Sequence, residues 1–288
     1  MRKVVLLMLI ATFMISCGSK MKNYTYTSHG INRLGEKETK TEVITALSDS
    51  LAFIEAYERR FITEQVFYDM QVLLKDTASY RDLGFTLTDE TGKDILSVPF
   101  VGRDSIIKSL YDEIVMPNKV KYESMLAEME GNRVKVEKLK PYFTFRKDEF
   151  GGQVWVEPKD APQYVDVNGI YCYFMLVDGK PSNLRFKIQY RSEDWLFIQS
   201  YKFLIDGNTY DYVPGKIERD NDSYIWEWSD AQVSVLSESL LNSLSKAKTA
   251  KIRFVGRQYH KDKDITSKQI ASIKRTLELY YALGGKVQ

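Results

Sequence analysis

The stretch Asn168-Gly169-Ile170-Tyr171-Cys172-Tyr173-Phe174-Met175-Leu176-Val177-Asp178-Gly179 decides the fold class. A run of aromatic and β-branched residues is bracketed there by two dipeptides of the kind that tight hairpin turns favour. Asp206-Gly207 is a third such pair, and residues 184–191 and 195–205 are further strand-like runs between the second pair and the third. Three turn pairs in quick succession predict an antiparallel meander, continued by strands over 209–213 and 224–228. In the 195–205 run, Trp195, Phe197, Tyr201, Phe203 and Ile205 alternate with Leu196, Ile198 and Leu204. Two apolar sets predict a central strand covered on both faces.

Two helices are expected to cover the meander. Val233, Leu236, Leu240, Leu244 and Ala247 recur at helical spacing, as do Ile270, Ile273, Leu277 and Tyr280 behind the capping box Thr266/Gln269, with Gly284-Gly285 as the stop. Residues 251–255 read as a strand between them. Moving toward the N-terminus, Glu157-Pro158-Lys159-Asp160-Ala161-Pro162 marks a boundary, and 143–146 with 153–156 form a hairpin around Gly151-Gly152. Helices are expected over 118–130, with strands beyond Gly131, and over 104–114, ended by Pro117. Residues 85–88 read as a strand entering the turn 89–92. Thr39 and Glu42 suggest a capping box opening a helix over 40–60, and Val66, Met70 and Leu73 repeat the period. Residues 18–37 lack an apolar period and read as a tether. The expected fold class is α+β, with a helix-rich N-terminal region over 39–157 and a C-terminal antiparallel sheet plus two helices over 163–288.

The first residues carry a separate message. Arg2-Lys3 precedes an uncharged run from Val4 to Ile15 that is too short for a membrane span of roughly 18 or more residues, a pattern expected of a removed signal peptide over 1–16. Met14-Ile15-Ser16-Cys17 then resembles the lipobox of bacterial lipoproteins processed by the lipoprotein signal peptidase, with Met where Leu is usual. That resemblance implies a diacylglyceryl thioether, and palmitate, on Cys17, with 17–38 as lipidated cysteine and tether. Two or more acyl chains at ~0.8 kcal/mol per buried methylene hold a protein stably on a membrane. Gly18-Ser19-Lys20 lacks the acidic run that, by the same resemblance, marks surface-exported lipoproteins in some bacteria, so the expected location is the envelope, facing the periplasm. With Cys17 lipidated, Cys172 is the one remaining thiol, and no internal disulfide can form.

Charge narrows the partners. Loss of Arg2 and Lys3 with the leader brings 41 basic side chains to 39, equal to the 39 acidic ones, so no bulk field draws the chain to nucleic acid. His29 and His260 stand far apart with no second ligand at metal spacing, and neither a metal nor another cofactor is expected. Glu218, Asp220 and Asp222 read as an acidic turn, since Ile225 and Ala231 occupy the places where a calcium loop needs Gly and Glu. Cys172 reads as a buried strand residue. No G-x-S-x-G elbow or phosphate loop is present.

Two stripes remain as candidate ligand-binding residues. Tyr224, Trp226 and Trp228 share one strand face and can stack on sugar rings, but Ser223, Ile225, Glu227 and Ser229 are the more polar set, which puts the aromatic row in the core. Arg185, Lys187 and Arg191 form a basic row, joined by Lys251 and Arg253 if these lie on the same sheet face, where lipid phosphate or a peptidoglycan carboxylate would fit. The sequence therefore points to a membrane-anchored, non-catalytic binding or scaffolding module for an envelope glycan, lipid or protein. The alternative is an envelope hydrolase using carboxylates such as Glu218 and Glu227. Labelled palmitate is expected to enter the expressed chain and to be absent from Cys17→Ser; equal labelling of both would remove the anchor.

Overall fold

A computed structural model describes residues 20–32, 35–75 and 81–287, so the leader and Cys17 lie outside the described residues. The fold is α+β, with five helices and three antiparallel sheets among the described residues. The chain forms two compact units that divide between Glu128 and Met129.

In the first unit, β1 (Lys22–Ile31) pairs on one side with β2 (Lys37–Ala46) and on the other with β3 (Arg81–Asp89). Residues 22–31 are thus the central strand of a sheet, which corrects the tether expected there. Tyr24 and Tyr26 turn inward beside Ile44, Ala46 and Leu87, while Thr25 and Thr27 face out, so an alternation of tyrosine and threonine supplies the strand without aliphatic residues. The helix α1 (Asp49–Leu74) buries Ala52, Phe53 and Ala56 in the same cluster. The Tyr24 hydroxyl donates to Asp49 Oδ1 at 2.9 Å, and burial, reinforced by that carboxylate, pushes the phenol up to about 12.

The helix expected over 40–60 begins later, because 37–46 is strand. Thr39 and Glu42 lie within β2, and the cap is Ser48, whose side chain accepts from the Leu51 amide at 3.3 Å. Val43, which stands at helical spacing from Leu47 and Leu51, is 61% exposed on β2, and Val66, Met70 and Leu73 of α1 are exposed as well. The strand into the 89–92 turn is present, with Asp89 Oδ1 accepting from the amides of Thr91 and Lys93. Next come α2 (Arg103–Ile114) and α3 (Met116–Leu139). Pro117 lies in the first turn of α3, where its missing N–H costs nothing, and Gly131 is inside that helix rather than before a strand.

The second unit holds two sheets. One orders β10 (Glu218–Asn221), β11 (Ile225–Gln232), β7 (Lys180–Ser192), β6 (Gly169–Val177), β5 (Val154–Pro158) and β4 (Phe143–Lys147). The other orders β13 (His260–Ile265), β12 (Ala250–Val255), β8 (Ser200–Ile205) and β9 (Asn208–Tyr212). The β4–β5 hairpin forms as expected, and residues 159–168 connect neighbouring strands of one sheet. Asp178-Gly179 and Asp206-Gly207 close the β6–β7 and β8–β9 hairpins with positive φ at both residues of each pair, the backbone of a type I′ turn. Asn168-Gly169 is not a hairpin turn. Gly169 opens β6 and must lack a side chain, since a Cβ there would overlap Gln189 and sit 2.8 Å from Pro162 Cγ.

Inner faces meet through Phe186 and Phe203 at 6.2 Å and Tyr190 and Phe254 at 4.9 Å between ring centroids. Two helices complete this core, α4 (Val235–Leu244) and α5 (Ser267–Ala282). Tyr280 of α5 meets Phe174 edge-on at 5.4 Å, and Thr276 Oγ1 donates to the Cys172 carbonyl at 3.4 Å. The Thr266/Gln269 capping box and the stop at Gly284 are both present. Cys172 is fully buried, which pushes its thiol well above the usual range.

The run 195–205 departs from the expected two-sided strand. Leu196 and Ile198 are buried, then Tyr201, Phe203 and Ile205, while Lys202 and Leu204 are exposed. The buried set changes phase after a left-handed residue, Phe197 with φ 53°, so both alternating sets contribute to the core in succession along a strand with one wet face.

Asp206 ties the β8–β9 turn to the strand entering β12 by accepting from the amides of Thr249 at 2.8 Å and Lys248 at 3.1 Å. These amides hold its carboxyl below the usual carboxylate range. A depressed acid stabilises the fold above its unfolded pKa of ~3.9 and loses that contribution as the pH falls through the folded value. Asp206→Asn, which tolerates the left-handed turn, is expected to flatten this part of the acid limb of a denaturant-midpoint profile and to leave the turn intact.

Candidate functional site

The register of β11 settles where the two stripes lie. Ile225, Glu227 and Ser229 face the core, and Tyr224, Trp226 and Trp228 take the opposite side, which reverses the expected orientation. Glu227 is 0% exposed, yet its carboxylate is saturated: Oε1 accepts from the amides of Leu196 and Phe197 at 2.9 Å each. Oε2 accepts from the Ile198 amide at 2.8 Å and from Arg219 Nε at 2.9 Å. Arg219 also donates to the Ile198 carbonyl at 2.7 Å. Burying a carboxylate costs several kcal/mol, which four charge-assisted bonds at ~1.5–3 kcal/mol each offset. The same bonds hold Phe197 in its left-handed conformation, one that costs a bulky residue about 1–3 kcal/mol. Glu227 has no exposed atom to offer a substrate, so it is a structural residue rather than an acid–base candidate.

With β11 in this register, the aromatic and basic rows share the outer face of the six-stranded sheet. Trp226 pairs with Arg191, Trp228 with Gln189 and Asp230 with Lys187 across adjacent strands. Tyr173, Tyr171 and Trp155 continue the face on β6 and β5. Arg185 Nε donates to Asp230 Oδ1 at 2.7 Å, Lys187 Nζ lies 3.7 Å from Oδ2, and the Tyr173 hydroxyl donates to Oδ2 at 2.6 Å. Burial and then the Asp230 hydrogen bond push the Tyr173 phenol up. Two cations share one carboxylate, leaving a local excess of positive charge. Residues 162–164 lie over Gly169 and Gln189, with Gln189 Nε2 donating to the Tyr164 carbonyl at 2.9 Å. The Trp226 indole nitrogen is out of solvent and has no hydrogen-bond acceptor among the described residues.

Lys251 and Arg253 are elsewhere. They project from the solvent side of the four-stranded sheet, where Lys251 pairs with Asp264 at 3.3 Å and Arg253 grips Asp262 through two 2.7 Å bonds. The shared face that would have joined them to Arg185, Lys187 and Arg191 does not form, because β12 and β7 belong to different sheets. Glu218 pairs with Lys216, and Asp222 Oδ1 accepts from the Tyr224 amide at 3.0 Å, so the acidic turn positions that ring. His29 is in β1, with Nδ1 3.3 Å from Thr39 Oγ1.

At one end of the face, where β7 leaves for the Glu227-gripped segment, a cleft of about 770 Å³ opens. Arg191, its guanidinium 3.8 Å over the Tyr224 ring, forms one side, and Tyr259, His260 and Lys261 form another. Glu193, Asp194 and Trp195 lie between. Trp195 stacks on Phe197 at 5.7 Å and 20°. Gly256 packs directly on Leu196, leaving no room for a side chain, and the Arg257 amide donates to the Leu196 carbonyl at 3.2 Å. Of these residues the sequence singled out Arg191 and Tyr224 as ligand-binding. Its one hint of the others was the polar break Ser192-Glu193-Asp194 between two strand runs.

No family model, curated protein or solved structure matches this chain. Glu227→Gln, which turns an amide donor toward donors, is expected to destabilise the C-terminal unit by about 3 kcal/mol; an unchanged thermal melt would show that the carboxylate does not hold the crossing.

Proposed function

We propose that the chain is a lipid-anchored protein of the bacterial envelope, facing the periplasm, whose C-terminal unit is a non-catalytic binding module. The sharing of one sheet face by the aromatic and basic rows, opening at its end into a cleft, carries this reading. Stacking rings next to cations offer a ligand apolar contact and directed hydrogen bonds together. The lipobox resemblance at Cys17 supports the anchor, and the even charge balance of the mature chain speaks for a partner other than nucleic acid. Glu227, the carboxylate on which the hydrolase alternative leaned, is occupied by Leu196, Phe197, Ile198 and Arg219.

Retention of purified cell-wall glycan on the immobilised full chain is the direct test. The glycan is expected to elute at its original chain length, and Arg191→Ala with Tyr224→Ala to lower retention about tenfold without a change in melting. Shortened glycan in the eluate would replace binding by hydrolysis. Equal retention by the double variant would take the ligand off this face.

A further inference from the structure

The lining of the cleft beside Arg191 is mixed in a way that selects a ligand class. Arg191 and Lys261 are donor-only cations, and Glu193 and Asp194 are acceptor-only anions; none of the four forms a side-chain ion pair within 4 Å among the described residues. Two positive charges against two negative ones leave a formal sum of zero among these four side chains. A phosphate or carboxylate group entering here would meet both acids, so the cleft is unsuited to anionic headgroups despite its arginine. A hydroxyl both donates and accepts, and a ring of hydroxyls satisfies both kinds of side chain at once. Trp195, Tyr224 and Tyr259, the last 73% exposed, share the rest of the lining with Tyr190, Ser192, Leu196 and His260. Flat rings next to hydrogen-bonding groups match a molecule with a C–H face and a hydroxyl edge.

We infer that this cleft is a subsite for a neutral saccharide, its pyranose rings stacked on Trp195, Tyr224 and Tyr259 and its hydroxyls divided between Arg191 and Lys261 as donors and Glu193 and Asp194 as acceptors. The inference rests on the binding reading above and names its ligand class. The volume of about 770 Å³ falls within the ~300–1,000 Å³ typical of small-molecule sites. The wall is also built in advance. Glu227 grips residues 196–198, Phe197 supports the Trp195 ring, and Gly256 packs on Leu196, so little ordering is left for the ligand to impose.

The test uses the full chain in a detergent without a sugar headgroup, titrated with maltotriose, cellotriose and chitotriose as neutral probes and with trigalacturonate as an anionic one, followed by tryptophan fluorescence and calorimetry. At least one neutral trimer is expected to bind saturably. Tyr259→Ala, at an exposed position, and Glu193→Gln with Asp194→Asn are each expected to weaken it about tenfold with unchanged melting. Trp195→Phe, which keeps a ring, is expected to stay within about threefold of the parent. Saturable binding of trigalacturonate alone, or neutral binding indifferent to these substitutions, would overturn the inference while the binding module stood. Retained cell-wall glycan without binding of any trimer would overturn it in the same way, and loss of glycan retention together with trimer binding would overturn both.

Discussion

A single carboxylate organises the C-terminal unit. Glu227 gathers three consecutive amides and Arg219, and through them sets the point where the chain leaves one sheet and enters the other. Three adjacent N–H groups can converge on one acceptor only where the backbone turns out of extended geometry, and Phe197 with its φ of 53° is that turn. Leu196 and Ile198 enter the core on either side of it, and beyond Gln199 the buried set changes phase to Tyr201, Phe203 and Ile205. The register of β11 follows from the same requirement. A one-residue slip would send Glu227 to solvent and the tryptophans inward, and the crossing would lose its anchor.

The outer surface follows from that choice. Because the less apolar set of β11 is inside, the tyrosine and tryptophans stand outside beside the cations of β7, and the acidic turn at Asp222 holds Tyr224 against Arg191. The five basic residues that looked like one stripe separate by sheet. Those of β12 are answered by the aspartates of β13, an edge strand so charged that it both neutralises its neighbour and discourages further pairing. Those of β7 have Asp230 between Arg185 and Lys187, whereas Arg191 keeps a ring rather than a carboxylate as its partner. The cleft lies at the Arg191 end, where Glu193 and Asp194 stand beside the basic side chains.

The first unit shows how aromatic residues stand in for aliphatic ones. Tyr24 and Tyr26 bury their rings while the hydroxyl of Tyr24 finds Asp49 at the start of α1, so the central strand carries its own polar tie to the covering helix. A threonine-rich partner strand completes the sheet. Counting only aliphatic periodicity makes such a segment look featureless, and makes the sparse aliphatics of β2 look helical.

Local chemistry alone was enough for the α+β class, the β6–β7 and β8–β9 turns, the β4–β5 hairpin, the capped helix at Thr266 and the buried Cys172. Each depends on residues within a few positions of one another: φ > 0 at Asp-Gly, a side chain reaching its own helix amides, an unbroken apolar run. The orientation of β11, the division of the cations and the cleft needed the tertiary structure. Whether a glutamate can be buried depends on donors some thirty residues away, and whether two basic strands share a face depends on which sheet each one joins. Neither is encoded in spacing, because both are free-energy balances struck only when distant segments meet.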